Sequence, residues 1–243
     1  MKNFSIIFIA FILMLNRAYS AEPPDQGTTN SQIETSFISK MLNMASLSKS
    51  ESDARNASVR VASPDGSGYG SGTYGYYQKE FVVFTAHHVV EGFPFMIVHG
   101  RDGEQMTGVI IYTDPVNDFA VLKVGEMTSR DAIKLKPADD DVPDYIGWDI
   151  TYTGFPSGYD LLTITGKIAG IRTDGRAVVA HSFTWMGASG SGVFNDKGEY
   201  VGVLVAVGLG HFQVTQIVED MVWIIPSTVL DWKEINKAIK RFN

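Results

Sequence analysis

The chain has 243 residues, 44% of them hydrophobic and 19% charged, which supplies an ordinary buried core and excludes a globally disordered chain. Its formal net charge of -7 argues against recognition of nucleic acid or anionic lipid by long-range attraction. It contains no cysteine, so disulfides, thiolate catalysis and cysteine metal sites are excluded.

Residues 1–20 stand apart. Lys2 precedes an apolar run at 4–15 whose one polar interruption is Ser5, and small residues follow at Ala18 and Ser20. This pattern predicts a secretory signal peptide cut after Ser20. The run is shorter than the ~20 apolar residues that cross a bilayer, so no stable membrane anchor is expected after cleavage. Losing Lys2 and Arg17 and no acid takes the formal charge from -7 to -9. A secreted or periplasmic protein is the expectation.

Residues 21–56 read as an N-terminal extension and candidate pro-segment. It begins polar and then places Ile33, Phe37, Met41 and Met44 at three- and four-residue spacing, as on one face of an amphipathic helix. Packing of that helix on its own domain is the plainest use of it.

From residue 57 the texture changes to short runs rich in Val, Ile, Tyr, Phe and Thr, with turn residues between them. SVRVAS, EFVVFTA, FMIVHG, TGVIIYT, FAVLKV, DITYTGF, LLTITGKIAGI, RAVVAHSF, GSGVF and EYVGVLVAV all qualify as strands. Many short strands without long helical stretches predict an all-β fold of the sandwich or barrel kind. A polar stretch from Glu126 to Asp144 divides the strands into two sets, so two small barrels are the simplest arrangement. Barrel 1 is placed at about 57–125, a linker at 126–145, barrel 2 at 146–226 and a C-terminal helix at 227–242. That helix is read from Leu230, Ile235, Ile239 and Phe242 at helical spacing, behind a Ser227 cap. The glycine-rich DGSGYGSGTYG at 65–75 lacks the G-K-[ST] of a phosphate-binding loop and reads as a turn. The three aspartates at 139–141 lack calcium-loop spacing and read as solvated linker.

The run WMGASGSGVF at 185–194 contains two serines, Ser189 and Ser191, among small residues. The G-x-S-x-G turn of α/β-hydrolases does not fit: Ser191 replaces the last glycine, and strand rather than helix follows. A serine also works as a nucleophile with its base and acid upstream, because the hydroxyl needs a proton acceptor, an oriented imidazole and N–H donors for the oxyanion. TAHHVV supplies histidines after an apolar strand, and DPVNDFAVLKV supplies aspartates before another. The small residues of GASG let the N–H groups of Gly187 and Ser189 turn into one pocket.

These stretches carry a resemblance. TAHHVV resembles the T-A-A-H-V-V segment of trypsin-like serine proteases, NDFAVLKV their D-I-A-V-L-K-V, and GASGSGVF their G-N-S-G-G-P-L. GSGTY at 70–74, TITGKIAGI, EYVGVL and IIPSTVL add similarity to the protease domain of the HtrA (Deg) group. SGSGVFNDKGE is similar to the S-G-S-P-V-F-N of V8-type glutamyl endopeptidases. The resemblance spans roughly residues 57–230 and implies two six-stranded antiparallel β-barrels with a C-terminal helix. Position by position it implies His88 as general base, with His87 in an alanine position and expected to be a surface or hydrogen-bonded bystander. It also implies Asp118 as the orienting acid, Ser189 as nucleophile, and the Gly187 and Ser189 amides as oxyanion donors. Asp114, before Pro115, reads as a turn residue.

The strand VGVLVAVG lacks the histidine on which glutamate preference depends in the V8 group. No aspartate lies between Arg176 and Ser189 to select Lys or Arg. His181, Phe183, Thr184, Val205 and Val207 are the candidate substrate-pocket residues, and their character favours a small or hydrophobic residue before the scissile bond. The resemblance thus implies a serine endopeptidase acting on protein or peptide, with no cofactor, no metal and no nucleic-acid partner. The competing reading is a catalytically inactive double barrel that serves as a protein-binding module.

Overall fold

The computed structural model describes residues 47–138, 142–211 and 215–242. The signal peptide, the amphipathic run at 33–44 and the aspartates at 139–141 lie outside the described residues. Among those described, no helix is long and apolar enough to cross a membrane.

Helix α1 (Lys49–Ala57) starts where Ser48 and Glu51 form a reciprocal capping box. It leads directly into β1 (Ser58–Ala62). Barrel 1 comprises β1, β2 (Tyr69–Tyr77), β3 (Glu80–Thr85), β4 (Phe95–His99), β5 (Gln105–Asp114) and β6 (Phe119–Lys123), with the short helix α2 (His87–Val90) after β3. The order β1-β4-β5-β6-β3-β2 closes through antiparallel β1–β2 pairing, and the two-residue β7 (Ile133–Lys134) adds in parallel to β2. Barrel 2 is β8 (Asp149–Gly154), β9 (Leu162–Ile171), β10 (Val178–Ser182), β11 (Gly192–Asn195), β12 (Tyr200–His211) and β13 (Thr215–Pro226), closed in the order β10-β13-β12-β11-β8-β9. The molecule is therefore the double antiparallel barrel that the strand spacing and the resemblance imply.

Successive strand side chains face opposite sides, and here both sides are buried. Val83, Ala120 and Leu122 fill the inside of barrel 1. Their neighbours Val82, Phe84, Phe119 and Val121 face outward into a second core with Phe194, Tyr200, Val203 and Ile225 of barrel 2 and Ile235 and Ile239 of the C-terminal helix. This is why FVVF and FAVL are continuous apolar runs rather than alternating ones. The same double burial fixes the end of β3 and the start of β6 against barrel 2.

Three readings are corrected. The glycine run is a turn only at its start, where Gly66 N donates to Ser63 O at 3.1 Å; from Tyr69 onward it is β2, whose glycines make room for packed neighbours, since a Cβ on Gly72 would stand 2.5 Å from the Val83 side chain. Strand β13 escaped the strand reading because Glu219 and Asp220 interrupt its apolar run. The C-terminal helix, α3 (Trp232–Arg241), is capped by Asp231, whose side chain accepts from Glu234 N at 3.0 Å, and not by Ser227. Ser227 is buried in a preceding 3-10 turn, where its Oγ donates to the Ala138 carbonyl. Phe242 ends the helix half exposed, away from the buried Ile235–Ile239 face.

Helix α1 is tied to barrel 2. Ser50 Oγ donates to Asn195 O at 2.8 Å, and Arg55 Nη1 donates to Leu161 O and Thr163 Oγ1 at 3.0 Å. Ser58 Oγ donates to Thr153 O at 2.9 Å.

Candidate active site

Strand β3 delivers the histidines. Its last residue, Thr85, donates from Oγ1 to Ser71 O at 2.7 Å, and after Ala86 the chain turns into α2 with His87 and His88 in its first turn. Opposite them, the turn into β6 is organised by Asp114, which accepts from Val116 N at 3.0 Å, Asn117 N at 3.1 Å and Asn117 Nδ2 at 2.7 Å. That turn leaves Asp118 at φ 48, a left-handed conformation that Asp tolerates better than most residues.

From there both oxygens of Asp118 reach one residue. Oδ1 accepts from the His88 backbone N–H at 2.8 Å and Oδ2 from His88 Nδ1 at 2.7 Å. An ionised carboxylate only accepts, so Nδ1 carries a proton, and in the neutral ring Nε2 presents a lone pair. Burial pushes the Asp118 carboxyl up, but the hydrogen bonds and charge of His88 outweigh it and hold the group below its ordinary value. His87 is half-buried, and its Nδ1 is buried with no hydrogen-bond partner among the described residues.

The segment before β11 is held from several directions. Ala188 N donates to Trp185 O at 3.1 Å, Ser191 N to Ala188 O at 3.0 Å and Gly190 N to Leu204 O at 2.7 Å. Ser157 N donates to Met186 O at 2.7 Å, and Ser71 N to Ser189 O at 2.8 Å. The N–H groups of Gly187 and Ser189 have no acceptor among the described residues. Gly187 lies at φ 95, and a Cβ there would stand 2.7 Å from Tyr69 Cε2 and closer still to the Phe155 carbonyl. Only glycine fits that backbone.

The two serines differ sharply. Ser189 is half-buried, and its Oγ makes one long contact, to Val205 O at 3.4 Å. Ser191 is fully buried, with its Oγ packed against the Cα of Gly154 and without a hydrogen-bond partner among the described residues. No substrate can reach it.

The candidate pocket residues separate into two groups. Thr184 and Val205 are buried, whereas Phe183 is 48% exposed. His181 is exposed on β10 with Nε2 3.8 Å from the Asp220 carboxylate. The side chain of Val207 lies outside the described residues. The Tyr152 hydroxyl donates to the Phe183 carbonyl, and burial pushes that phenol up, so it remains a neutral donor. Sequence reasoning missed three neighbours of the serine loop: Ser71, Ser157 and Tyr69. The GSG stretch at 70–72 was visible as part of the resemblance, but no role attached to its serine.

Comparison with known proteins agrees with this architecture. The model of the trypsin-like peptidase domain matches residues 70–203. The crystal structure of a serine endoprotease from Yersinia pestis superposes with TM-score 0.63 at 22% identity, covering 80% of this chain and 66% of that one. An inactive form of the Rv3671c protease superposes with TM-score 0.59 at 17% identity, covering 79% of this chain and 92% of that one. An uncharacterised protein of Sinorhizobium fredii, y4bJ, is 22% identical over 70% of this chain, which spans 27% of that relative's length. With the matched model extending over more than half of its length, from β2 into β12, the chain belongs to the trypsin-like peptidase family.

Proposed function

We propose that the protein is a secreted or periplasmic serine endopeptidase that hydrolyses peptide bonds through an acyl-enzyme. The observation that carries this reading is a His88 ring held at Nδ1 by Asp118, together with a serine loop whose Gly187 and Ser189 amides have no acceptor among the described residues. Ser189 swings from its long contact with Val205 and attacks the substrate carbonyl carbon while His88 Nε2 takes its proton. Asp118 keeps Nδ1–H in place and stabilises the imidazolium. The carbonyl oxygen, now an anion, is received by the two free amides, each such donor contributing about 100- to 1000-fold in rate. Collapse expels the amine, which takes the proton from His88. Water, deprotonated by the same nitrogen, then releases the acyl group. Nothing in this sequence of steps needs a cofactor or metal.

The substrate is a protein or peptide with a small or hydrophobic residue before the scissile bond. Two findings support this preference: no carboxylate stands between Arg176 and Ser189 in the sequence, and Val205 is apolar. Profiling cleavage of a peptide library by the wild type and Ser189→Ala tests it. Cuts after small or apolar residues that vanish in the variant are expected, and cuts after Glu, Lys or Arg would overturn the specificity. No cleavage by the wild type would favour the binding-module alternative.

A further inference from the structure

We infer that Ser71, on β2 of barrel 1, is a positioning residue for the oxyanion pocket of barrel 2. The inference rests on the catalytic reading above and extends it to a residue that touches neither substrate nor the reacting atoms.

Ser71 is fully buried, and every polar group it owns is engaged. Its N–H donates to Ser189 O at 2.8 Å and its carbonyl accepts from Thr85 Oγ1 at 2.7 Å. Its hydroxyl donates to Gly187 O at 2.7 Å and accepts from Phe155 N at 3.0 Å. The direction of the hydroxyl proton is fixed by chemistry, because Gly187 O can only accept and Phe155 N can only donate. One residue thus links the strand that leads to the histidines, through its carbonyl, with the β8–β9 connection and the serine loop, which its hydroxyl bridges.

The consequence follows from peptide geometry. In a trans peptide the C=O and N–H point in opposite directions. Ser157 N–H pins the carbonyl of Met186 at 2.7 Å, which aims the Gly187 N–H the other way. Ser71 Oγ pins the carbonyl of Gly187 itself, which fixes the next peptide plane. Glycine passes readily between positive and negative φ, so a loop with Gly187 at φ 95 has an alternative in which the oxyanion donor is turned away. The two anchors on either side of Gly187 oppose that rotation. Ser157 contributes a backbone group; Ser71 contributes the side chain that mutation can remove. Ser71→Ala would leave Gly187 O without its donor and the Phe155 N–H without its acceptor.

The test measures the bimolecular rate of labelling by a fluorophosphonate, whose phosphoryl oxygen occupies the oxyanion pocket during attack. Ser71→Ala should label about 10- to 100-fold more slowly, part of the effect of losing an oxyanion donor outright. The His88 Nδ1–H resonance and the pH midpoint of labelling should be unchanged, because the His88–Asp118 pair is untouched. If Ser71→Ala does not fold, Ser71→Cys, which keeps a weak donor, carries the test and should label at a reduced rate. Full-rate labelling by the folded variant overturns the inference and leaves the catalytic reading intact. Slowed labelling with a lost or shifted His88 resonance also overturns it, by showing a general structural role. A wild type that does not label overturns both.

Discussion

Asp118→Asn isolates the electrostatics of the pair because it changes little else. Asn tolerates φ 48 as Asp does, so no backbone strain is added. The carboxylate accepts two N–H donors from one residue, at 2.8 and 2.7 Å. A carboxamide offers one oxygen and one NH2. If the oxygen stays on the His88 backbone N–H, the NH2 faces Nδ1, and the imidazole escapes a donor-to-donor clash by moving its proton to Nε2. That nitrogen then cannot take the serine proton. Restoring the working tautomer costs several kcal/mol, and the loss expected from such a tautomer trap is about 10⁴-fold in kcat, or ~5.5 kcal/mol. Peptide hydrolysis or fluorophosphonate labelling measures it, and the proton NMR signal of Nδ1–H should disappear in parallel. The variant should also be less stable at neutral pH by about 1.5–3 kcal/mol for a lost charge-assisted hydrogen bond. Because the Asp118 pKa is depressed in the fold, that contribution is present above the ordinary value of 3.8 and is lost as pH falls through the lower folded value. A loss of activity below 10-fold with Nδ1–H retained would refute the reasoning.

Other substitutions probe separate parts of the account. Ser191→Ala removes a buried hydroxyl that has no partner among the described residues and should leave labelling unchanged, with stability equal or raised by up to ~2 kcal/mol in a melting experiment. Gly187→Ala forces a side chain into φ 95 and against the Phe155 carbonyl, so it should cost at least ~1–3 kcal/mol and abolish labelling. Glu104 accepts from the backbone and hydroxyl groups of Thr128 and Ser129, and the Ser129 hydroxyl foremost among them lowers its pKa to about 2. Its stabilisation is therefore present above the ordinary value of 4.5 and lost as pH falls toward 2, so the melting temperatures of wild type and Glu104→Gln should differ at pH 7 and converge near pH 2.

Much of this fold was legible because turn residues separate β-rich runs, and because the double burial of β3 and β6 writes itself as FVVF and FAVL. What stayed hidden was local sequence serving a distant need. The glycines of β2 looked like a loop because the neighbours that require them, such as Val83, are not adjacent in sequence. The pairing of His88 with Asp118 could be anticipated from the two motifs, since each places a side chain at a strand end. The role of Ser71 could not, because its hydroxyl acts on a carbonyl 116 residues away. Ser157 gave no signal either: what matters there is a backbone N–H presented by a residue at φ 54. The choice between Ser189 and Ser191 rested on a resemblance at the sequence level, and burial now supplies a physical reason to set Ser191 aside.

The most direct test of the catalytic account is to incubate the folded protein with a fluorophosphonate and locate the adduct by peptide mass mapping. The account predicts a single adduct on Ser189, absent in Ser189→Ala and in His88→Ala and retained in Ser191→Ala. An adduct on any other serine, or none on the wild-type protein, would contradict it.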